Sequence, residues 1–231
     1  MQDIRGNLER MRERIARAAE RAGRRAESVL LIGVSKTVEV ARIRDAVAAG
    51  LPALGENRIQ EARAKIAELG RPVPWHLVGQ LQTNKAKDAV ELFDVIHSLD
   101  RLELAQELHK RALRRGRPVE TLVQVNLAGE AQKGGVTQEG LGALLDAVAG
   151  LDHVRVRGLM AIPPETSDPE EARLWFRTLR KLGERAALPE LSIGMSGDFE
   201  VAIEEGATMV RVGTAIFGAR PSRVGKEPGE R

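Results

Sequence analysis

The chain has 231 residues, 42% of them apolar and 30% charged, with a formal net charge of +3. That suits one large globular domain or two small ones with room for a core. No apolar run approaches the roughly eighteen residues of a membrane span, and Met1 to Asn7 lack the apolar segment of a secretory signal, so no membrane is expected and the cytosol is the expected compartment. Cysteine is absent, which removes disulfides, thiolate chemistry and cysteine-ligated metal sites together.

In chain order, residues 1–28 read as a helical preface. Ile4, Leu8, Met11, Ile15, Ala18 and Ala19 recur at helical spacing, predicting a helix packed on the domain that follows. Glutamates are interspersed through its polar face, which weakens attraction to anionic lipid. From residue 29 apolar runs alternate with amphipathic stretches. Strands are expected at Val29–Val34, Leu51–Leu54, Trp75–Val78, Val95–Ser98, Val119–Leu127, Val154–Met160, Leu191–Met195 and Met209–Val212. Helical patterns lie between them at 38–49, 57–69, 84–92, 101–115, 138–149, 169–187 and 198–206. Ser98-Leu99-Asp100 supplies an N-cap for the fourth of these, Gly116 a C-terminal stop, and Asp198 a cap for the last. Asp168-Pro169-Glu170 reads as a loop entering a helix. Eight strands with helical connections predict an α/β fold, a (β/α)8 TIM-type barrel, with an open doubly wound sheet as the competitor. No Pro/Gly/Ser-rich linker divides residues 29–220, so one barrel domain is expected, and residues 221–231 are polar and expected to be disordered.

Two segments carry chemistry. Lys36 sits where the apolar run Leu30-Leu31-Ile32-Gly33-Val34 ends, at the strand end where α/β folds place their sites, and Thr37 begins a helical pattern. Its amine there can form an imine; the plain alternative is a surface lysine with a packed stem. The second segment is Gly194-Met195-Ser196-Gly197-Asp198, repeated in kind by Val212-Gly213-Thr214-Ala215. Small residues let backbone amides approach an anion, and barrels often bind phosphate with the loops after strands seven and eight. Barrel closure pairs strand eight with strand one, which would set Lys36 beside that cradle. Arg211 either aims inward from strand eight or pairs with a barrel carboxylate such as Glu56.

Other classes are weaker. A computed pI near 9.5 invites nucleic acid. Yet only 3% of residues are aromatic, none is tyrosine, and acids alternate with bases, so stacking platforms and a basic face are both missing. His76, His97, His109 and His153 show no metal-ligand spacing. Among them, His97 is assigned to a strand end and His109 to a helix face. Trp75 and Trp175 are assigned to packing.

The motifs Val34-Ser35-Lys36-Thr37, Gly55-Glu56-Asn57-Arg58-Ile59-Gln60-Glu61, Trp75 to Lys85, Gly194 to Asp198 and Met209 to Gly218 resemble the pyridoxal phosphate homeostasis protein family, short relatives of the alanine racemase barrel. The resemblance implies a fold-type III barrel in which Lys36 carries pyridoxal 5′-phosphate (PLP) as an internal aldimine. It further implies that Ser196, Gly213 and Thr214 hold the phosphate and that Arg211 faces the pyridine nitrogen, with Asn57, His76 and Met160 lining the pocket. Arg58 stands where many relatives have an aromatic, and the loop around Lys133 has altered neighbours. The expected function is a cytoplasmic, monomeric carrier or buffer of PLP in vitamin B6 homeostasis, serving PLP-dependent apo-enzymes.

Imine formation needs a neutral amine, and free lysine has a pKa of about 10.4, which burial or a neighbouring cation such as Arg211 would lower. An arginine at the pyridine nitrogen weakens the ring as an electron sink, which disfavours turnover. Two enzymatic alternatives stand beside the carrier: a PLP-dependent racemase of restricted scope, and a Schiff-base aldolase acting on a phosphorylated sugar. The absence of tyrosine removes the opposing base that alanine racemase uses by the family comparison.

Overall fold

The structure is a computed structural model that describes residues 3–130 and 132–218. Eight parallel strands close on themselves: β1 (Leu30–Val34), β2 (Ala53–Glu56), β3 (Trp75–Leu77), β4 (Val95–Leu99), β5 (Val119–Asn126), β6 (Val154–Met160), β7 (Glu190–Ser192) and β8 (Met209–Val212). Each pairs with its sequence neighbours, and β8 pairs with β1 in the register Leu30↔Met209, Ile32↔Arg211 and Gly33↔Val212. A short ladder, Val136–Thr137, runs beside the end of β5. The barrel is therefore closed, and the open-sheet alternative is excluded.

Helices α2 (Val40–Ala48), α3 (Ile59–Leu69), α4 (Ala86–Leu92), α5 (Leu102–Arg115), α6 (Leu141–Val148), α7 (Pro169–Arg185) and α8 (Phe199–Glu204) connect the strands, and α9 (Thr214–Phe217) follows β8. Alternation along each strand divides the apolar residues between two cores. Leu31, Leu54, Val210 and Val212 pack outward with the helices, while Ile32, Ala53, Leu122, Met160 and Met209 form a separate cluster that fills the barrel. Trp75 is buried and Trp175 packs on the outer core, as expected of both.

The preface helix α1 (Ile4–Arg21) buries the six predicted apolar residues against α2, α8 and α9. Asp3 caps it by accepting from Gly6 N at 2.9 Å. Arg14 clamps Glu200 and lies 4.6 Å from the centre of the Phe199 ring. Asn7 Nδ2 donates to Ile216 O at 2.9 Å, which ties α1 directly to α9. The residues from 219 onward, including the tail expected to be disordered, lie outside the described residues. Among the described residues no helix is long and apolar enough to cross a membrane.

Four local expectations are corrected. β2 runs over Ala53–Glu56 instead of Leu51–Leu54, because Pro52 cannot donate to a ladder and Leu51 N closes the end of α2 on Ala46 O. β7 stops at Ser192, since Gly194 turns the chain at a φ of 87°. Arg101, not Asp100, occupies the N-cap of α5, and Asp100 pairs with Arg101 at 2.5 Å instead. Thr37 begins no helix: α2 starts at Val40, and Thr37 has a φ of 62°. Gly116 at a φ of 80° ends α5, and Asp168 caps α7 by accepting from Glu170 N at 2.9 Å.

Candidate functional site

Lys36 lies in a four-residue turn at the C-terminal end of β1, closed by Val38 N donating to Ser35 O at 2.9 Å. Ser35 N donates to Gly55 O at 2.9 Å, so the turn is an extension of the β1–β2 pairing. Ser35 Oγ donates to Glu56 Oε1 at 2.7 Å, and Lys65 of α3 donates to both Ser35 O and Glu56 Oε1. Glu56 is fully buried, and burial raises its pKa against the opposing pull of Lys65. The pairing of Arg211 with Glu56, one of the two alternatives for that arginine, is thereby excluded: Glu56 belongs to Lys65.

Arg211 takes the inward alternative. Its side chain is 4% exposed, and its Nη1 donates to Ser192 O at 2.6 Å and Ser192 Oγ at 2.7 Å, while Nη2 donates to Ala161 O at 2.9 Å. Burial lowers its pKa to about 10, opposed by the charge of Asp198, so it is a cation at neutral pH. Beyond Ser192 the polar chain continues across the barrel. Ser192 Oγ lies 2.9 Å from His97 Nδ1, and His97 Nε2 lies 2.8 Å from His76 Nδ1. Burial lowers both imidazoles, His76 to about 4 and His97 well below its ordinary value, so both are neutral at pH 7.

The direction of this chain follows from donor counting. Arginine only donates, so Ser192 Oγ accepts from Arg211 and turns its own proton to His97 Nδ1. His97 then carries its proton on Nε2 and donates to His76 Nδ1, which leaves His76 protonated on Nε2. The tautomers are thus assigned from the network. His97 is accordingly not a strand-end residue; it is a fully buried member of β4.

The turn after β7 is shaped by Gly194, where a side chain would strike Ala202 Cβ at 2.6 Å. Asp198 occupies the N-cap position of α8 as expected but makes no side-chain capping bond; its Oδ1 turns back to accept from Met195 N at 2.6 Å, which fixes the turn carrying Ser196. Arg211 N donates to Gly194 O at 3.0 Å, joining that turn to β8. After β8, Gly213 lies against β1, where an added Cβ would come 3.2 Å from Val34 O. Thr214 opens α9, in which Ile216 N and Phe217 N donate back to Gly213 O at 3.0 and 2.9 Å, so the leading amides that a helix leaves without an internal acceptor are those of Gly213, Thr214 and Ala215.

A cavity of about 170 Å³ opens here, lined by Val34, Lys36, Thr37, Arg42, Gly213 and Thr214 among others. Three of the eight predicted residues, Lys36, Gly213 and Thr214, therefore share one wall-to-wall pocket. Arg211 lies within the paired strand, and Ser196 sits half-buried in the neighbouring turn without lining that cavity. Asn57 is half-buried beyond β2, where Gly79 must lack a side chain because a Cβ would fall 2.3 Å from Asn57 O. His76 is 2% exposed and held by His97, and Met160 is fully buried in the barrel's apolar filling. Lys133 donates to Pro163 O at 3.0 Å and pairs with Glu130. Among the described residues, no group of His, Asp and Glu side chains is arranged to hold a metal ion.

The sequence reading missed Ser192, His97, Glu56 and Lys65 as partners of this site. A signal existed for one pair: His76 and His97 are the histidines of adjacent parallel strands, and a shared inward phase would have joined them.

Residues 6–221 match the family model described as alanine racemase, N-terminal domain. Curated proteins named pyridoxal phosphate homeostasis protein align along nearly the whole chain. The one from Aquifex aeolicus is 48% identical, covering 92% of this chain and 96% of its own length. That of Pseudomonas aeruginosa is 46% identical, covering 95% and 97%. The chain belongs to the pyridoxal phosphate homeostasis protein family. Among solved structures, Synechococcus elongatus PipY without PLP superposes with a TM-score of 0.84 at 41% identity, covering 94% of this chain and 100% of its own. PipY with PLP bound gives 0.81 at 40%, with the same coverage. Clostridium difficile alanine racemase, 16% identical with a TM-score of 0.71, shares the fold and covers 95% of this chain but only 57% of its own.

Proposed function

We propose that this chain carries or buffers pyridoxal 5′-phosphate in vitamin B6 homeostasis, with little or no turnover of its own. One observation carries the proposal: β1–β8 pairing brings Lys36, Gly213 and Thr214 to a single pocket. The names of the relatives and the PLP-bound form of PipY support it.

When bound, PLP supplies an aldehyde that bonds reversibly to an amine, with a phosphate and a ring nitrogen that need partners. The donor set suits those needs. Lys36 supplies the amine; Ser196, Gly213 and Thr214 supply hydroxyls and close-approaching amides for the phosphate. Arg211 is the donor to the ring nitrogen, and its inability to accept a proton keeps that nitrogen unprotonated. By the family resemblance, Asn57, His76 and Met160 would supply the sides and floor, the last two deeper in the barrel than the cavity that Lys36 lines. The neutral Ser192–His97–His76 chain steadies Arg211 without adding a second charge to the interior. We further propose a cytoplasmic monomer that passes PLP to apo-enzymes.

The decisive measurement is the visible spectrum of the purified protein beside a Lys36→Ala variant, followed by borohydride treatment and peptide mapping. The wild type is expected to be coloured and to retain cofactor on Lys36 after reduction, and the variant to be colourless. A colourless wild type that traps nothing would refute the proposal. Absence of turnover is checked separately: α-hydrogen exchange of amino acids in deuterated solvent should not exceed that with free PLP.

A further inference from the structure

The turn that carries Lys36 is strained, and the strain has a counterpart on α3. Thr37, the residue after the lysine, has a φ of 62°. It occupies the third position of the Ser35–Val38 turn, where a positive φ ordinarily selects glycine and a β-branched residue is unfavourable. Two side chains of α3, one helical turn apart, meet the peptide groups on either side of Lys36. Glu61 Oε2 accepts from Thr37 N at 3.1 Å, and Lys65 Nζ donates to Ser35 O at 2.6 Å. The two lie 3.8 Å apart, and Lys65 is anchored from below by the fully buried Glu56.

We infer that Glu61 and Lys65 are positioning residues, a charged clip that grips the backbone before and after Lys36 and holds the turn in the conformation that presents its amine to the pocket. Three features support this. Both contacts are to main-chain groups, so they act on the turn whatever its side chains do. Both are charge-assisted, and such bonds are stronger than neutral ones. Lastly, the conformation they hold is one that Thr37 would otherwise leave, by about a tenfold shift in the local equilibrium. The proposal rests on and deepens the carrier function, since it concerns the same lysine, and it explains a use for the Gly55–Glu61 motif beyond Asn57.

The test uses the cofactor-free protein and trace acetylation, with each lysine quantified by peptide mapping. Exposed Lys110 serves as the internal standard. Glu61→Ala should raise the acetylation of Lys36 relative to Lys110 by about tenfold, and Glu61→Gln by less, because the amide still accepts but without charge. Placed in a Thr37→Gly background, Glu61→Ala should change that ratio by less than about twofold, since glycine needs no help at positive φ. A merely structural role would alter unfolding without this lysine-specific, glycine-rescued signature. If folded Glu61→Ala and Glu61→Gln both leave the ratio within about twofold of wild type, the clip is refuted. Should Glu61→Ala not fold, Glu61→Gln and the glycine-background pair decide the matter. The outcomes also separate the two proposals: a wild type that never binds PLP yet shows the acetylation pattern keeps the clip and removes the carrier function, and the converse pattern does the reverse.

Discussion

Arg211 is held by two main-chain carbonyls and one hydroxyl, and the hydroxyl alone couples it to the histidines. Ser192→Ala would leave the carbonyl contacts in place while removing the only group that forces His97 to carry its proton on Nε2. We expect a stability loss of about 1–3 kcal/mol by urea denaturation, the cost of a buried polar atom left without its partner. In ¹⁵N spectra the His97 ring should change from one tautomer to a mixture. An unchanged spectrum would show that something other than Arg211 orients the chain. The residues of this relay were the least legible in the sequence. Lys36, Gly213 and Thr214 announce themselves by strand ends and small residues, which are local features. Ser192 and His97 are ordinary strand residues whose meaning arises only when β3, β4, β7 and β8 close around a common interior.

Element by element, the chain was more readable, because apolar periodicity follows from which face is buried. Strands with continuous apolar runs, such as β1 and β8, were found within a residue of their ends. The failures fall where tertiary partners overrule local preference. β2 continues into Gly55-Glu56, where Lys65 and Ser35 both donate to Glu56 Oε1 and offset part of the cost of burying that carboxylate, while its Oε2 has no partner among the described residues. Asp198 has the chemistry of a cap but spends it on the preceding turn. The preface helix was legible as a packing helix, yet not its attachment to α9, the element that begins with Thr214. Leu8 of α1 is fully buried, so Leu8→Ala should cost about 2–5 kcal/mol in urea denaturation. Asn7→Ala removes the bond to Ile216 O together with an exposed bond from Arg10 to Asn7 Oδ1, and should cost about 1 kcal/mol. If the α1–α9 junction steadies Thr214, PLP should leave Asn7→Ala faster than wild type in a competition with a scavenging apo-enzyme. An unchanged release rate would make the junction purely structural.

For the molecule as a whole, the interior polar chain sets a pH dependence that a fully apolar barrel would lack. A histidine held neutral by burial binds fewer protons than its unfolded counterpart wherever the pH lies below the ordinary imidazole pKa. Folding stability then falls on acidification, beginning near pH 6.5 and continuing to the folded value of about 4 for His76. That contribution is on the order of 3 kcal/mol, and His97 acts in the same direction. Carboxylates paired with arginines add to the loss at lower pH. Arg14 holds Glu200 below the usual range, Arg173 does so for Glu204, and Arg177 for Glu205, so their support disappears as the pH falls through their folded values. Glu56 works oppositely, since burial raises its pKa and folding favours its proton. The histidine loss comes first on the acid side, before the paired Glu200, Glu204 and Glu205 titrate. The melting temperature should therefore decline between pH 7 and pH 5, a window in which ordinary carboxylates are still ionised. A His76→Gln, His97→Gln double variant keeps side-chain amides in the chain but has nothing to protonate, and its melting temperature should be flat across the same window. An equal decline in the double variant would mean that the buried imidazoles do not govern acid stability.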